Sequence, residues 1–148
     1  KKDFHLTDVI FLKQCTKKCT FKYIAERRNM REHETLYQRL EILEQANLIE
    51  CRVTKQTEKI IALIYKENLD VDIEKMEMFT THIAIAMQRI LKGEEEKPLD
   101  RSVLEALEAE CGYDEAVKLS RKVYETVNID FPKTEQEYLV VHLCNLLS

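Results

Sequence analysis

Two histidines sit in helical text that is otherwise apolar. His82 lies in "MFTTHIAIAMQRILKGEEE" and His142 in "EYLVVHLCNLL". Each has a charged residue two helical turns away: Arg89 follows His82 by seven positions, and Glu135 precedes His142 by seven. At about 100° per residue, a step of that length returns to nearly the same stripe of a helix. An imidazole beside a carboxylate is held in one tautomer and becomes a better nucleophile. Burial disfavours its charged form, so the ring stays neutral near pH 7. Those conditions suit an acceptor of a phosphoryl group. A core histidine with no chemical task accounts for either residue alone better than for both with their charged companions. His5 and His33 sit in polar text and read as surface residues.

The elements that must position the pair are helical. In a helix from Ile73 to Lys92, the residues Glu77, Thr81, Gln88 and Lys92 gather on one narrow polar sector. Almost everything else is apolar, so burial is expected over most of the circumference, with His82 between Met78 and Ala86. Gly93 is a plausible C′ stop. The last helix is expected from Glu135 to Leu147, opened by a capping box in "TEQE" with Thr134 as N-cap and Glu137 as its partner. Leu99–Glu110 and Tyr113–Val127 read as amphipathic helices, and "NIDFP" as an extended connector because a residue before proline avoids the helical region. Upstream, Val53, Thr57, Ile60, Ile61 and Ile64 share one helical face. Leu36, Leu40, Ile42, Leu43, Leu48 and Ile49 continue a helical period before it, and residues 6–28 are helical text with one interruption and Thr20 as a candidate N-cap. Two glycines and two prolines are too few for the turns of a β-rich fold. The fold class is all-α.

Composition excludes several functions. A net charge of −4 without a basic block argues against nucleic-acid binding by the whole chain. Five cysteines show no disulfide ladder, which favours a reducing, cytoplasmic setting. Cys15 and Cys19 would share a helical face, but no second Cys or His pair completes a tetrahedral zinc site, so no metal is expected. No apolar run reaches the roughly 18 residues of a membrane span, and no signal peptide is visible. There is no glycine-rich phosphate loop, His-Glu-x-x-His or nucleophile elbow, so neither an enzyme nor a cofactor is expected. The chain starts at Lys1-Lys2 without methionine, as a fragment of a longer protein would.

Residues 20–50 can be read as a helix-turn-helix. "YIAERRNM" would supply the first helix and turn, and "EHETLYQRLEILE" the recognition helix. Arg27, Arg28 and Arg31 would then meet phosphates, with Tyr37, Gln38 and Arg39 near the groove. The helical period of Val53–Ile64 leaves no hairpin for a wing. The competing reading makes residues 1–39 a helical extension, or the tail of a preceding domain.

The histidine segments carry a resemblance. "MFTTHIAIAMQRILKGEEE" resembles the second-helix signature of the phosphotransferase-system regulation domain, abbreviated PRD: a histidine, small apolar residues, Gln-Arg, then a basic residue, Gly and Glu. "IDFPKTEQEYLVVHLCNLL" is similar to the closing segment of that family. "LDRSVLEALEAECGYDEAVKLSRKVYETV" resembles its two middle helices, and "LEILEQANLIECRVTKQTEKIIALIYKENLDVD" its lead-in and first helix. The likeness covers residues 40–148. It implies a five-helix bundle that forms homodimers. It also implies phosphorylation of His82 and His142 by the histidine phosphocarrier or by a sugar-permease component of the phosphotransferase system. Phosphorylation would shift dimer packing and switch an attached nucleic-acid-binding domain in a carbohydrate-responsive transcription regulator. From their place on the histidine stripes, and not from the resemblance, Arg89 and Glu135 are expected to support the histidines. A single copy with no β-rich RNA-binding text ahead of it does not imply RNA antitermination.

Overall fold

A computed structural model describes the backbone of residues 18–67 and 69–148, with side chains from Met30 onward except Asn68. Among the described residues there are six helices and no strand: α1 (Lys18–Gln45), α2 (Cys51–Lys66), α3 (Ile73–Leu91), α4 (Arg101–Glu108), α5 (Tyr113–Thr126) and α6 (Lys133–Leu147). The all-α expectation holds. The chain divides into two compact units, 1–34 and 35–148.

In the first unit the described backbone, from Lys18, is helical. A helix-turn-helix needs a break near Asn29 and Met30, yet α1 runs through both without one. The reason is local: Lys18–Gln45 contains neither glycine nor proline and is rich in Glu, Arg and Leu, all strong helix formers. The helix-turn-helix reading is therefore corrected to continuous helix. The backbone of Thr20 lies inside α1 rather than at its start. The side chains of Cys15, Cys19, Arg27 and Arg28 fall outside the described residues, as does His5.

The second unit begins at Thr35 rather than at residue 40, because Leu36 and Leu40 are fully buried in its core. Within it α2 packs on α3, α3 on α6, α6 on α5 and α5 back on α2, closing a ring, while α4 lies against α6. The face predicted for α2 is the buried one: Val53, Thr57, Ile60, Ile61 and Ile64 are all in the core. Ile83 and Met87 of α3 meet the same core as Leu139 and Leu143 of α6. Each such side chain stabilises the fold by about 1.5–3 kcal/mol relative to exposure.

The helix ends show where local chemistry decides. Gly93 has φ 70° and closes α3 in a Schellman turn: its N–H reaches the Ile90 carbonyl at 3.0 Å, and the Glu94 N–H reaches Arg89 at 3.1 Å. The same motif ends α1 at Asn47, φ 58°, with Leu48 N–H on the Leu43 carbonyl at 2.9 Å. That turn interrupts the helical period expected to run on through Leu48 and Ile49; asparagine is the residue besides glycine that best tolerates this backbone. At α6 the capping box does not form. Pro132 already holds φ −60°, ψ 157° in the N-cap position, so the helix starts at Lys133 and Thr134 lies within it. The Pro132 carbonyl accepts the Gln136 N–H at 2.9 Å, and the Gln136 side chain donates to the Phe131 carbonyl at 2.8 Å.

Candidate functional site

Helices α3 and α6 run antiparallel along one seam, which follows from who faces whom. His82 stands opposite His142, and one step along, Arg89 stands opposite Glu135. The seven-residue spacings seen in the sequence are therefore matched in opposite directions across two helices. The imidazole rings lie 4.6 Å apart between centroids, tilted by 42°. A rise of about 1.5 Å per residue puts the arginine–glutamate contact roughly 10 Å further along the seam.

The two histidines differ in setting. His142 is half-buried, whereas His82 is exposed. Burial, then the neighbouring His82, then Arg89 lower the His142 pKa to about 4. At neutral pH it is an uncharged imidazole with a free lone pair. Most of the circumference of α3 is covered, as expected, but the exposure of His82 corrects the expectation that its stripe is part of the buried face. The polar sector is not the solvent face. Arg39 of α1 donates to Glu77 at 2.9 Å and to Thr81 at 3.3 Å. Gln88, only 8% exposed, accepts the Glu50 N–H at 2.7 Å. With those polar groups satisfied by protein partners, the face turned to water carries Glu74, Met78 and His82 instead, Met78 at 61% exposure.

Arg89 and Glu135 form a two-pronged ion pair, Nε to Oε1 at 2.7 Å and a terminal nitrogen to Oε2 at 3.1 Å. Glu135 is 3% exposed, so that fork supplies the hydrogen bonds its carboxylate would otherwise take from water. The other terminal nitrogen of Arg89 reaches Glu96 at 3.2 Å. Beside it, the Tyr138 hydroxyl donates to the Lys97 carbonyl at 2.9 Å, fixing the segment after α3 over the seam. The sequence put Glu135 on the His142 stripe as an orienting carboxylate. Both its oxygens are instead taken by Arg89, and the neutrality of His142 has the causes given above.

Glu96, Tyr138 and the Arg39–Glu77–Thr81 contacts were not among the expected site residues. Nothing in a run of three glutamates singles out the one that meets an arginine. Of the residues expected near DNA, Arg31, Tyr37 and Gln38 are exposed, and Arg39 is engaged with α3 as described. His33, expected at the surface, is half-buried. Among the described residues no group of three His, Cys, Asp or Glu is placed to hold a metal ion, and no helix is long and apolar enough to cross a membrane. Cys51 and Cys111 are exposed thiols and Cys144 a buried one.

The model of the PRD domain family matches residues 55–146, a span that includes His82, Arg89, Glu135 and His142. The chain belongs to the PRD family. The PRD match is a single copy, as expected from the sequence. The chain is also 28% identical over 109 residues to the uncharacterized protein YhfY of Escherichia coli (strain K12), an alignment covering 73% of this chain and 91% of that protein. No solved structure matches it significantly.

Proposed function

We propose that this PRD is a phospho-acceptor regulatory domain of a carbohydrate-responsive transcription regulator. It works as an acceptor rather than as an enzyme, with no cofactor. Its donors are the histidine phosphocarrier or a sugar-permease component of the phosphotransferase system, and it acts where they do, in the cytoplasm. The observation that carries the reading is the pair of imidazoles 4.6 Å apart, one open to solvent and one half-buried, inside the span that matches the PRD family. In the transfer, a ring nitrogen of His82 or His142 attacks the donor's phosphohistidine; the donor's P–N bond breaks as the new one forms.

The bundle converts that event into a change of surface. A phosphoryl group brings close to two negative charges and several acceptor oxygens to the α3–α6 seam. Arg89, further along the seam, is a cation with a replaceable partner: Glu135 holds it from the buried side, while Glu96 holds it from the exposed side. A phosphate that competes for the Glu96 position would loosen the segment after α3. In a homodimer built on this face, added charge would recruit arginines or drive like charges apart. Incubating the chain with the phosphorylated phosphocarrier tests the reading. An acid-labile, base-stable phosphate is expected on the protein, and its absence would count against the proposal.

A further inference from the structure

Placed side by side, the two imidazoles do not play the same part. We propose that a phosphoryl group accepted at His82 is passed within the same chain to His142, making the pair a short relay rather than two alternative acceptors. This inference rests on the phospho-acceptor reading above.

Access comes first. His82 is exposed and borders an open hollow of about 310 Å³ lined by Arg39, Glu74, Glu77, Met78 and Thr81. A donor protein that presents its phosphohistidine there meets His82 before His142, which is half-buried behind it on α6. Proximity comes second. With 4.6 Å between ring centroids, a rotation of the solvent-exposed His82 side chain brings its ring nitrogens within reach of His142. Held so, the second transfer is effectively unimolecular, where positioning alone is worth a large factor in rate. Phosphoryl transfer asks for little else than position and charge balance.

The acceptor and its surroundings set the direction. His142 keeps an uncharged ring, so a nitrogen lone pair is available for attack. Arg89 acts on the same ring electrostatically and is fixed by the Glu135 fork, so its charge adds a favourable field for a phosphoryl on His142 from further along the seam. On His82 the group faces water, where solvent screens the pull of Arg39 beside it. Partial burial at His142 also slows hydrolysis by limiting water. In the step itself, the P–N bond to His82 breaks and leaves its electron pair on that nitrogen. A lone pair of a His142 nitrogen forms the new P–N bond. His142 gives up the proton on its other nitrogen, the His82 ring takes up a proton, and water carries the exchange. Nothing else is consumed. Two dianions cannot share so small a separation, so the chain holds one phosphoryl group at a time.

The test is a pulse and chase on the full chain. Phosphocarrier protein labelled on its histidine is added briefly and removed, and the labelled site is mapped over time by mass spectrometry. Label is expected first on His82 and then on His142, at a rate unchanged by tenfold dilution of the chain. His142→Gln should trap the label on His82. His82→Gln should slow labelling of His142 by at least about tenfold, with unchanged circular dichroism because the residue is exposed. Labelling of His142 at the wild-type rate in His82→Gln overturns the relay, as does a chase rate that rises with protein concentration, or label that stays on His82. If neither histidine is labelled by the phosphocarrier or by phosphoramidate, the phospho-acceptor reading itself fails, which is a different result.

Discussion

The two ends of the α3–α6 seam are built on opposite principles. At one end Arg89 and Glu135 close a two-pronged ion pair with the carboxylate almost wholly buried. At the other, His82 and His142 face each other ring to ring with no ion pair among the described residues, one of them open to water. The first end has its hydrogen-bonding capacity spent inside the protein, so it fixes the register of the two helices. The second keeps nucleophilic nitrogens uncommitted. A site that must accept a group needs both: unpaired nitrogens, and a frame that does not move while they react.

Breaking the closed end should cost the most. Arg89→Ala leaves the Glu135 carboxylate buried and unpaired, and a loss of roughly 3–5 kcal/mol of unfolding free energy is expected in urea titrations. A loss below about 1 kcal/mol would mean that the fork does not hold the seam.

The open end should respond to pH. His142 is protonated far less readily in the fold, near pH 4, than in an unfolded chain, near 6.5. Above pH 6.5 neither state is protonated there and the residue leaves stability unaffected by pH. As pH falls from 6.5 towards 4, the unfolded chain takes up a proton that the fold refuses, so stability drops by at most about 3 kcal/mol and then levels off. His142→Gln should flatten that part of the pH–stability curve relative to wild type. An unchanged slope would show that the ring is not held neutral by its setting.

The outer strut of the closed end should matter least to stability. Glu96→Gln removes a partly exposed ion pair and is expected to cost no more than about 1 kcal/mol. It should nonetheless increase hydrogen exchange in residues 94–97, because Glu96 and the Tyr138–Lys97 contact hold that segment.

The same contrast explains what the sequence could show. The seven-residue steps from His82 to Arg89 and from Glu135 to His142 were legible because a helix repeats on that period. Which helix faces which was not, since pairing needs the packing of the whole ring. The polar sector of α3 misled for a related reason. Glu77, Thr81 and Gln88 look solvent-facing until Arg39 and the Glu50 amide supply partners from elsewhere in the chain. Gly93 was legible as a stop because its left-handed φ has a residue type that signals it; Asn47 sends a weaker signal. Pro132 displaced the expected capping box, since a fixed φ can begin a helix without a side-chain cap.

Phospho-acceptance is tested by phosphate incorporation from the phosphorylated phosphocarrier into wild type and into the double variant His82→Ala, His142→Ala. One acid-labile phosphate per wild-type chain is expected, and none in the folded double variant. Equal incorporation in both, or none in either, would contradict it.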